Sequence, residues 1–245
     1  MACVGPPGRY EFLDFNAPLS NNRADSIAAS LARQNPRSVL DVGCGWGEIL
    51  LRILSVCDQA TGVGIDEDAT LLDRGRANAL DRGLESRASF VEGSLPVVGV
   101  SGDVVICIGA DHAFGSQLDA LEALWALVNP GGRVLFGSGF WQRVPSESEA
   151  ASVGLTPNSL SDLAGLVHLA VTLGFRPLYI QTANRDEWES FESGYLADYE
   201  EWIVDHRDHP EAEALRAKAD IHRTEWLTGY GDVLGFAYLT LGRPR

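Results

Sequence analysis

Apolar and polar positions along this chain follow two alternating periods. Short, nearly unbroken apolar runs read as buried strands, and runs with apolar residues three and four apart read as core-facing helices. Residues 23–34 predict a helix ended by Asn35-Pro36, and SVLDV (38–42) predicts a strand. EILLRILSVC (48–57) predicts a helix, ATGVGI (60–65) a second strand, and residues near 69–82 a further helix. ASFVE (88–92) and DVVICI (103–108) predict the third and fourth strands, the latter apolar throughout like a central parallel strand. Leu118, Leu121, Leu124, Trp125 and Val128 form a helical stripe over 116–128, which Asn129-Pro130-Gly131-Gly132 stops and turns into a fifth strand, RVLFGSG (133–139). A loop with Trp141 and Pro145 follows, then a helix over 159–173 with Gly174 at its end, and a sixth strand, PLYIQT (177–182). Strand and helix alternate in this way in a mainly parallel, doubly wound sheet.

The stretch 184–230 breaks the rhythm. It is polar, helical in pattern and rich in aromatics, among them Trp188, Phe191, Tyr195, Tyr199, Trp202, Trp226 and Tyr230. VLGFAYLTL (233–241) then predicts a seventh strand. No internal repeat or low-complexity tract interrupts the pattern.

Charge narrows the partners. The 245 residues carry a formal net charge of −15, and Lys218 is the sole lysine. So acidic a surface repels phosphate backbones and anionic headgroups, which argues against nucleic acid and membrane as partners. The opening MACVGPPGRYEF has no basic segment leading into an apolar one, so no signal peptide is expected. No apolar run approaches the roughly 20 residues that span a bilayer, and a cytoplasmic location is the expectation. Cys3, Cys44, Cys57 and Cys107 are scattered without CxxC spacing or a nearby histidine. Neither disulfide nor zinc is suggested, and Cys44, Cys57 and Cys107 read as buried thiols.

The strongest chemical signal is Asp41-Val42-Gly43-Cys44-Gly45-Trp46-Gly47, a glycine-rich turn after a strand and before a helix. Such a turn lets backbone approach a ligand closely and presents helix N–H groups to an anion. Dinucleotide enzymes need GxGxxG there. This sequence has GxGxG, with Glu48 at the place of the third glycine, and an acidic residue two positions before the first. Trp46, inside the turn, reads either as a wall for a ligand or as packing under the following helix.

These residues resemble the class I, Rossmann-like S-adenosylmethionine-dependent methyltransferases, whose first motif is an acidic residue followed by GxGxG. The resemblance continues in order through Gly64-Ile65-Asp66, Phe90-Val91-Glu92-Gly93-Ser94, Ile108-Gly109-Ala110-Asp111-His112 and Pro130-Gly131-Gly132. It covers roughly residues 38–140 by motif, and the later strands by topology alone. It implies S-adenosyl-L-methionine as cofactor, bound by Asp41, Gly43, Cys44, Gly45, Gly47, Asp66, Glu67, Gly93, Ser94, Ile108 and Gly109. Asp66 would clasp the ribose hydroxyls; Ser94 departs from the aspartate usual at the adenine contact. The fold class is then α/β: a doubly wound, mainly parallel seven-stranded sheet with an antiparallel last strand and a helical lid insertion. Residues 1–245 are expected as a single methyltransferase domain, with the arm 1–22 and the insertion 184–230 as substrate cap.

Methyl transfer asks mainly for alignment, exclusion of water and removal of a proton. His112 is the candidate base and Asp111 its candidate partner, since an imidazole titrates near working pH. Tyr10, Phe15, His112, Phe114, Trp141, Glu187, Phe191 and Tyr195 are the candidate substrate contacts, an aromatic set with carboxylates that suits a flat or amine-bearing small molecule. Glu192 is a weaker candidate, and His168, His206, His209 and His222 read as structural or solvated. No carboxylate pair with an asparagine marks a metal, and metal-independent chemistry is expected. Three rivals remain: a cyclopropane synthase, disfavoured by the lack of a basic lipid-facing patch; a nicotinamide oxidoreductase, disfavoured by the glycine spacing; and a non-catalytic adenosylmethionine-binding partner. The acceptor atom, the substrate and the oligomeric state stay open.

Overall fold

A computed structural model of the chain describes residues 10–94 and 99–245, and Cys3 and most of the expected arm's first half lie outside them. Two compact units emerge, one built on the sheet and one helical.

The sheet unit comprises Ser20–Phe140, Leu160–Thr182 and Phe236–Arg245. Its strands are β1 (Ser38–Val42), β2 (Thr61–Asp66), β3 (Ala88–Glu92), β4 (Gly102–Ile108), β5 (Val128–Trp141), β6 (Arg176–Thr182) and β7 (Leu234–Gly242). They lie in the order β3-β2-β1-β4-β5-β7-β6. Pairing is parallel for β1 with β2 and β4, β2 with β3, and β4 with β5, and antiparallel for β6 with β7. The chain order reverses between β1 and β4, which is where an open α/β sheet forms a crevice at its carboxyl edge. Helices α1 (Asn21–Ala32), α2 (Glu48–Val56), α3 (Ala69–Asp81), α4 (Gln117–Leu127) and α6 (Leu163–Thr172) accompany the strands, with α1 packed on α2 and α4 on α6. Val105, Cys107, Val134, Phe136, Ala237 and Leu239 lie at the centre of the core with Leu121, Leu124, Leu166 and Phe175.

Two boundaries differ from expectation. Asn129–Gly132 does not separate helix from strand, because β5 begins at Val128 directly after α4. Pairing slips between Gly102–Val128 and Val104–Arg133, so the run is absorbed as an irregularity inside β5. Its backbone is satisfied by Arg243: Gly131 N–H donates to the Arg243 carbonyl and Arg243 N–H to that of Gly132. The Arg243 guanidinium also caps α4, donating to the carbonyls of Trp125 and Val128. In α6, residues 159–162 stay outside the helix because the Asp162 carboxylate caps it, accepting from Gly165 N–H at 2.7 Å. Of the cysteines expected to be buried, Cys107 is, whereas Cys44 and Cys57 are half-buried; all three are free thiols.

The helical unit comprises residues 10–19, Trp141–Ser159 and Ala183–Gly235. It holds α5 (Glu147–Ala151), α7 (Arg185–Asp205), α8 (Ala212–Thr224) and a π-helical turn at Glu225–Tyr230. α5 is too short for periodicity to show, but its capping box, Ser146 with Glu149, is readable in sequence. α7 starts on a second capping box, Asn184 with Glu187. No helix among the described residues is long and apolar enough to cross a membrane.

Candidate active site

The candidate cofactor residues converge at the carboxyl ends of β1 to β4, as the parallel register brings Val42 beside Ile65 and Asp66 beside Glu92. Gly43, Gly45 and Gly47 all take left-handed backbone, with φ of 69°, 54° and 64°. Only glycine adopts such a sequence of conformations cheaply. The loop is anchored from β2: Gly43 and Cys44 N–H both donate to the Ile65 carbonyl. Gly45 N–H donates to Asp66 Oδ2 at 2.7 Å, and Asp66 Oδ1 accepts from Asp68 N–H at 3.0 Å. A side chain at Gly45 would project into open space, so the loop's outer face is bare backbone. On the inner face, a Cβ at Gly47 would lie 2.6 Å from the Phe90 ring, which fixes how tightly the loop is seated.

Gly47 is also the N-cap of α2 and offers no side-chain cap. Glu48, the first helical residue, turns inward, only 8% exposed, and is bound by Arg52 (2.8 Å) and Arg82 (2.7 Å). Trp46 is buried, with the Arg74 guanidinium 4.0 Å from its ring centroid. The ring thus packs within the sheet unit against Arg74 of α3.

Asp41 lies beneath the loop, 4% exposed. Burial, reinforced by the nearby Asp66 charge, pushes its carboxyl up to about 8. A folded-state value above the unfolded one means that the stability it contributes is complete below about pH 4 and is lost as pH rises towards 8. Urea unfolding of the ligand-free protein should therefore give lower stability at pH 8 than at pH 5.5. Asp41→Asn should flatten the difference by up to a few kcal/mol, about 1.4 kcal/mol per pH unit at the steepest. Equal pH slopes for the two proteins would refute the assignment. The same burial, with Asp41 and Asp66 close by, pushes the Cys44 thiol up and away from thiolate chemistry.

Gly93 N–H donates to the Asp66 carbonyl, and Glu67 and Ser94 are exposed at the same edge. At the end of β4, Gly109 (φ 69°) donates its N–H to the Gly137 carbonyl, and Asp111–Phe114 form a 3-10 turn. The Asp111 carboxylate accepts from Ser138 Oγ at 2.8 Å, and burial raises its pKa. Ser138 in turn accepts from Gln117 Nε2, whose side-chain oxygen takes the Ser161 N–H. This buried polar network escaped sequence reasoning. His112 is exposed on the 3-10 turn, its ring without a hydrogen bond among the described residues, while Phe114 packs on the core.

The remaining candidates belong to the helical unit. Phe15 and Trp141 are buried, and the Trp141 indole N–H has no acceptor among the described residues. The Glu187 carboxylate closes the α7 capping box on Asn184 N–H. Tyr10, Phe191 and Tyr195 line up as neighbouring rings, with Tyr195 5.7 Å from Tyr10 and 6.4 Å from Phe191. No group of three or more His, Cys, Asp or Glu among the described residues is placed to hold a metal.

The topology and the glycine loop define a class I, Rossmann-like methyltransferase fold. Residues 39–132 match the methyltransferase domain family. It is similar to the uncharacterized protein YjhP of Escherichia coli, 26% identical over 91% of this chain and 92% of that one. The YjhP crystal structure superimposes with a TM-score of 0.83 over 93% of this chain and 94% of that one, at 24% identity. A methyltransferase from Geobacter sulfurreducens, crystallised with S-adenosyl-L-homocysteine, gives 0.85 over 94% of both chains at 24% identity. A demethylmenaquinone methyltransferase of Deinococcus radiodurans is 31% identical over 55% of this chain and 56% of its own length.

Proposed function

We propose that this chain transfers a methyl group from S-adenosylmethionine to nitrogen, oxygen or carbon of a small, flat or amine-bearing metabolite, without a metal. The observation that carries the reading is the loop at the β1/β4 crevice: three left-handed glycines, an open outer face at Gly45, and Asp66 fixed beside it. When bound, the cofactor supplies an electrophilic methyl whose sulfonium charge disappears on transfer. Asp66 has lone pairs left to accept from two ribose hydroxyls. The uncapped start of α2 offers N–H groups to the methionyl carboxylate. Gly93 and Ser94 would border the adenine, and Ile108 and Gly109 the sulfur.

Because the donor loses charge, the protein has little new charge to stabilise, and its work is alignment and proton removal. We assign proton removal to His112, and to Asp111, held by Ser138, the setting of the turn that carries it. Phe114 would contact the substrate from the same turn. Within the helical unit, Tyr10, Phe191 and Tyr195 supply flat apolar surface, and Phe15, Trp141 and Glu187 support it.

S-adenosylhomocysteine at about 100 times its dissociation constant should stabilise the protein by roughly 2.7 kcal/mol. For a chain of this size the melting temperature should rise by about 5–10 °C, with no rise for NADH. No rise with S-adenosylhomocysteine in a cooperatively folded sample freed of co-purified cofactor would refute the reading.

A further inference from the structure

The sheet unit carries a cleft of about 320 Å³ that includes no residue of the glycine loop. It is lined by the end of α1 with its C-cap Arg33, by Arg133 of β5, by Leu178 and Tyr179 of β6, and by Thr240 of β7. Arg133 is in register with Val104 near the start of β4, so the cleft lies at the amino edge of the parallel strands, opposite the loop. Strand alternation explains which side chains reach it. Val134 and Phe136 on β5, and Leu239 and Leu241 on β7, enter the core, so their neighbours Arg133 and Thr240 point to the other face of the sheet.

Three side chains there have donors without a protein partner. Arg133 Nη1 donates to the carbonyls of Gly131 (2.8 Å) and Gly132 (3.0 Å), while its Nε and Nη2 make no hydrogen bond among the described residues. The Arg33 guanidinium makes neither hydrogen bond nor ion pair among them, and no carboxylate lines the cleft. Elsewhere in the chain guanidiniums pair with carboxylates, as Arg52, Arg82 and Arg143 do. Thr240 is 6% exposed, yet its hydroxyl has no partner among the described residues and is not sealed from the cleft. A buried hydroxyl without a partner costs stability, and valine would have the same shape at this strand position. The helix dipole accounts for a cation at the end of α1, but for neither the free side of Arg133 nor the Thr240 hydroxyl.

We propose that this cleft binds a small phosphomonoester, away from the glycine loop. Arg33, the free side of Arg133 and the Thr240 hydroxyl donate to the terminal phosphate oxygens, and Leu178 and the Tyr179 ring pack against the organic part. Two guanidiniums match the nearly dianionic charge of a phosphomonoester at neutral pH better than the single charge of a carboxylate. The net charge of −15 opposes a polyanion spread over the surface, but not one phosphate held between two local cations. The volume falls at the lower end of the roughly 300–1,000 Å³ typical of small-molecule sites. The inference stands independently of the cofactor reading, because none of its residues belongs to the loop.

The test is calorimetric titration of the intact chain with phenyl phosphate as the probe, in excess S-adenosylhomocysteine to keep the probe from the glycine loop. Phenyl phosphate should bind saturably, and inorganic phosphate and benzoate at least several-fold more weakly. Arg33→Gln should weaken phenyl phosphate by about tenfold or more, as the loss of one charge-assisted contact does. Thr240→Val keeps the shape and removes the hydroxyl. It should weaken phenyl phosphate several-fold and raise the melting temperature of the ligand-free protein, because an unpartnered buried hydroxyl is gone. Both variants should unfold cooperatively and keep the native melting shift with S-adenosylhomocysteine. The proposal is overturned if phenyl phosphate shows no saturable binding at high millimolar concentration. It is equally overturned if either variant binds the probe as the native protein does, since the anion would then lie elsewhere. Equal affinity for inorganic phosphate would overturn the phosphomonoester in favour of the free ion, and equal affinity for benzoate would overturn the charge match.

Discussion

Asp66→Ala is expected to weaken S-adenosylhomocysteine binding by about 10²–10⁴-fold, read by titration calorimetry, while the protein still folds. Two charge-assisted hydrogen bonds to ribose hydroxyls are each worth roughly 1.5–3 kcal/mol, which sets that range. Asp66 also receives Gly45 N–H and Asp68 N–H, so its removal frees the middle of the glycine loop and relaxes the start of α3. Folding should survive because Asp66 is half-buried at the carboxyl end of β2 and lies outside the buried hydrophobic cluster. The ligand-free melting temperature should therefore change much less than the affinity does. Asp66→Asn, which keeps one acceptor oxygen in place, should lose less affinity than Asp66→Ala. A loss under about fivefold for Asp66→Ala would remove the carboxylate from the ribose site.

The sheet and its ligand edge were legible because their signals are local. The seven strands and the spacing from Asp41 to Gly47 and on to Asp66 can be read within windows that each element fills by itself. What escaped depends on partners far away in sequence. Glu48 looked like a mere departure from a glycine pattern, yet it is a buried ion pair whose second arginine is 34 residues on. Glu192 and Asp198 fall on a helix whose polar pattern suggests solvated acids. Their partners are Tyr230, 38 residues away, and Tyr10, 188 residues away, so no periodicity could show that these carboxylates face inward. The Asn129–Gly132 run shows the opposite case, in which correct local turn chemistry is overridden because Arg243 supplies hydrogen-bonding partners that a turn would otherwise have provided.

Phe90→Ala should be the most destabilising single change in the sheet unit, costing about 3–5 kcal/mol and lowering the melting temperature by roughly 6–20 °C. The ring is 8% exposed and is wedged among glycines: a Cβ built on Gly47 or Gly75 would lie 2.6 Å from it, and one on Gly64 3.1 Å. Glycines have no side chains with which to collapse into the space left behind, so the cavity stays open and the loss falls towards the large end of such substitutions. The ring is also the floor on which the left-handed loop rests, so cofactor affinity should fall with stability, and Phe90→Leu should restore most of both. The coupling can be measured directly. Gly47→Ala in the native background meets both the ring and the strain of a left-handed alanine, the latter worth about 1–2 kcal/mol. In the Phe90→Ala background the ring is gone and only the strain remains. The double variant should therefore be less destabilised than the two single changes added together, by an interaction energy on the order of 1–3 kcal/mol. Strict additivity would mean that the loop and the ring do not support each other, and that the glycine at position 47 is required for its backbone angle alone.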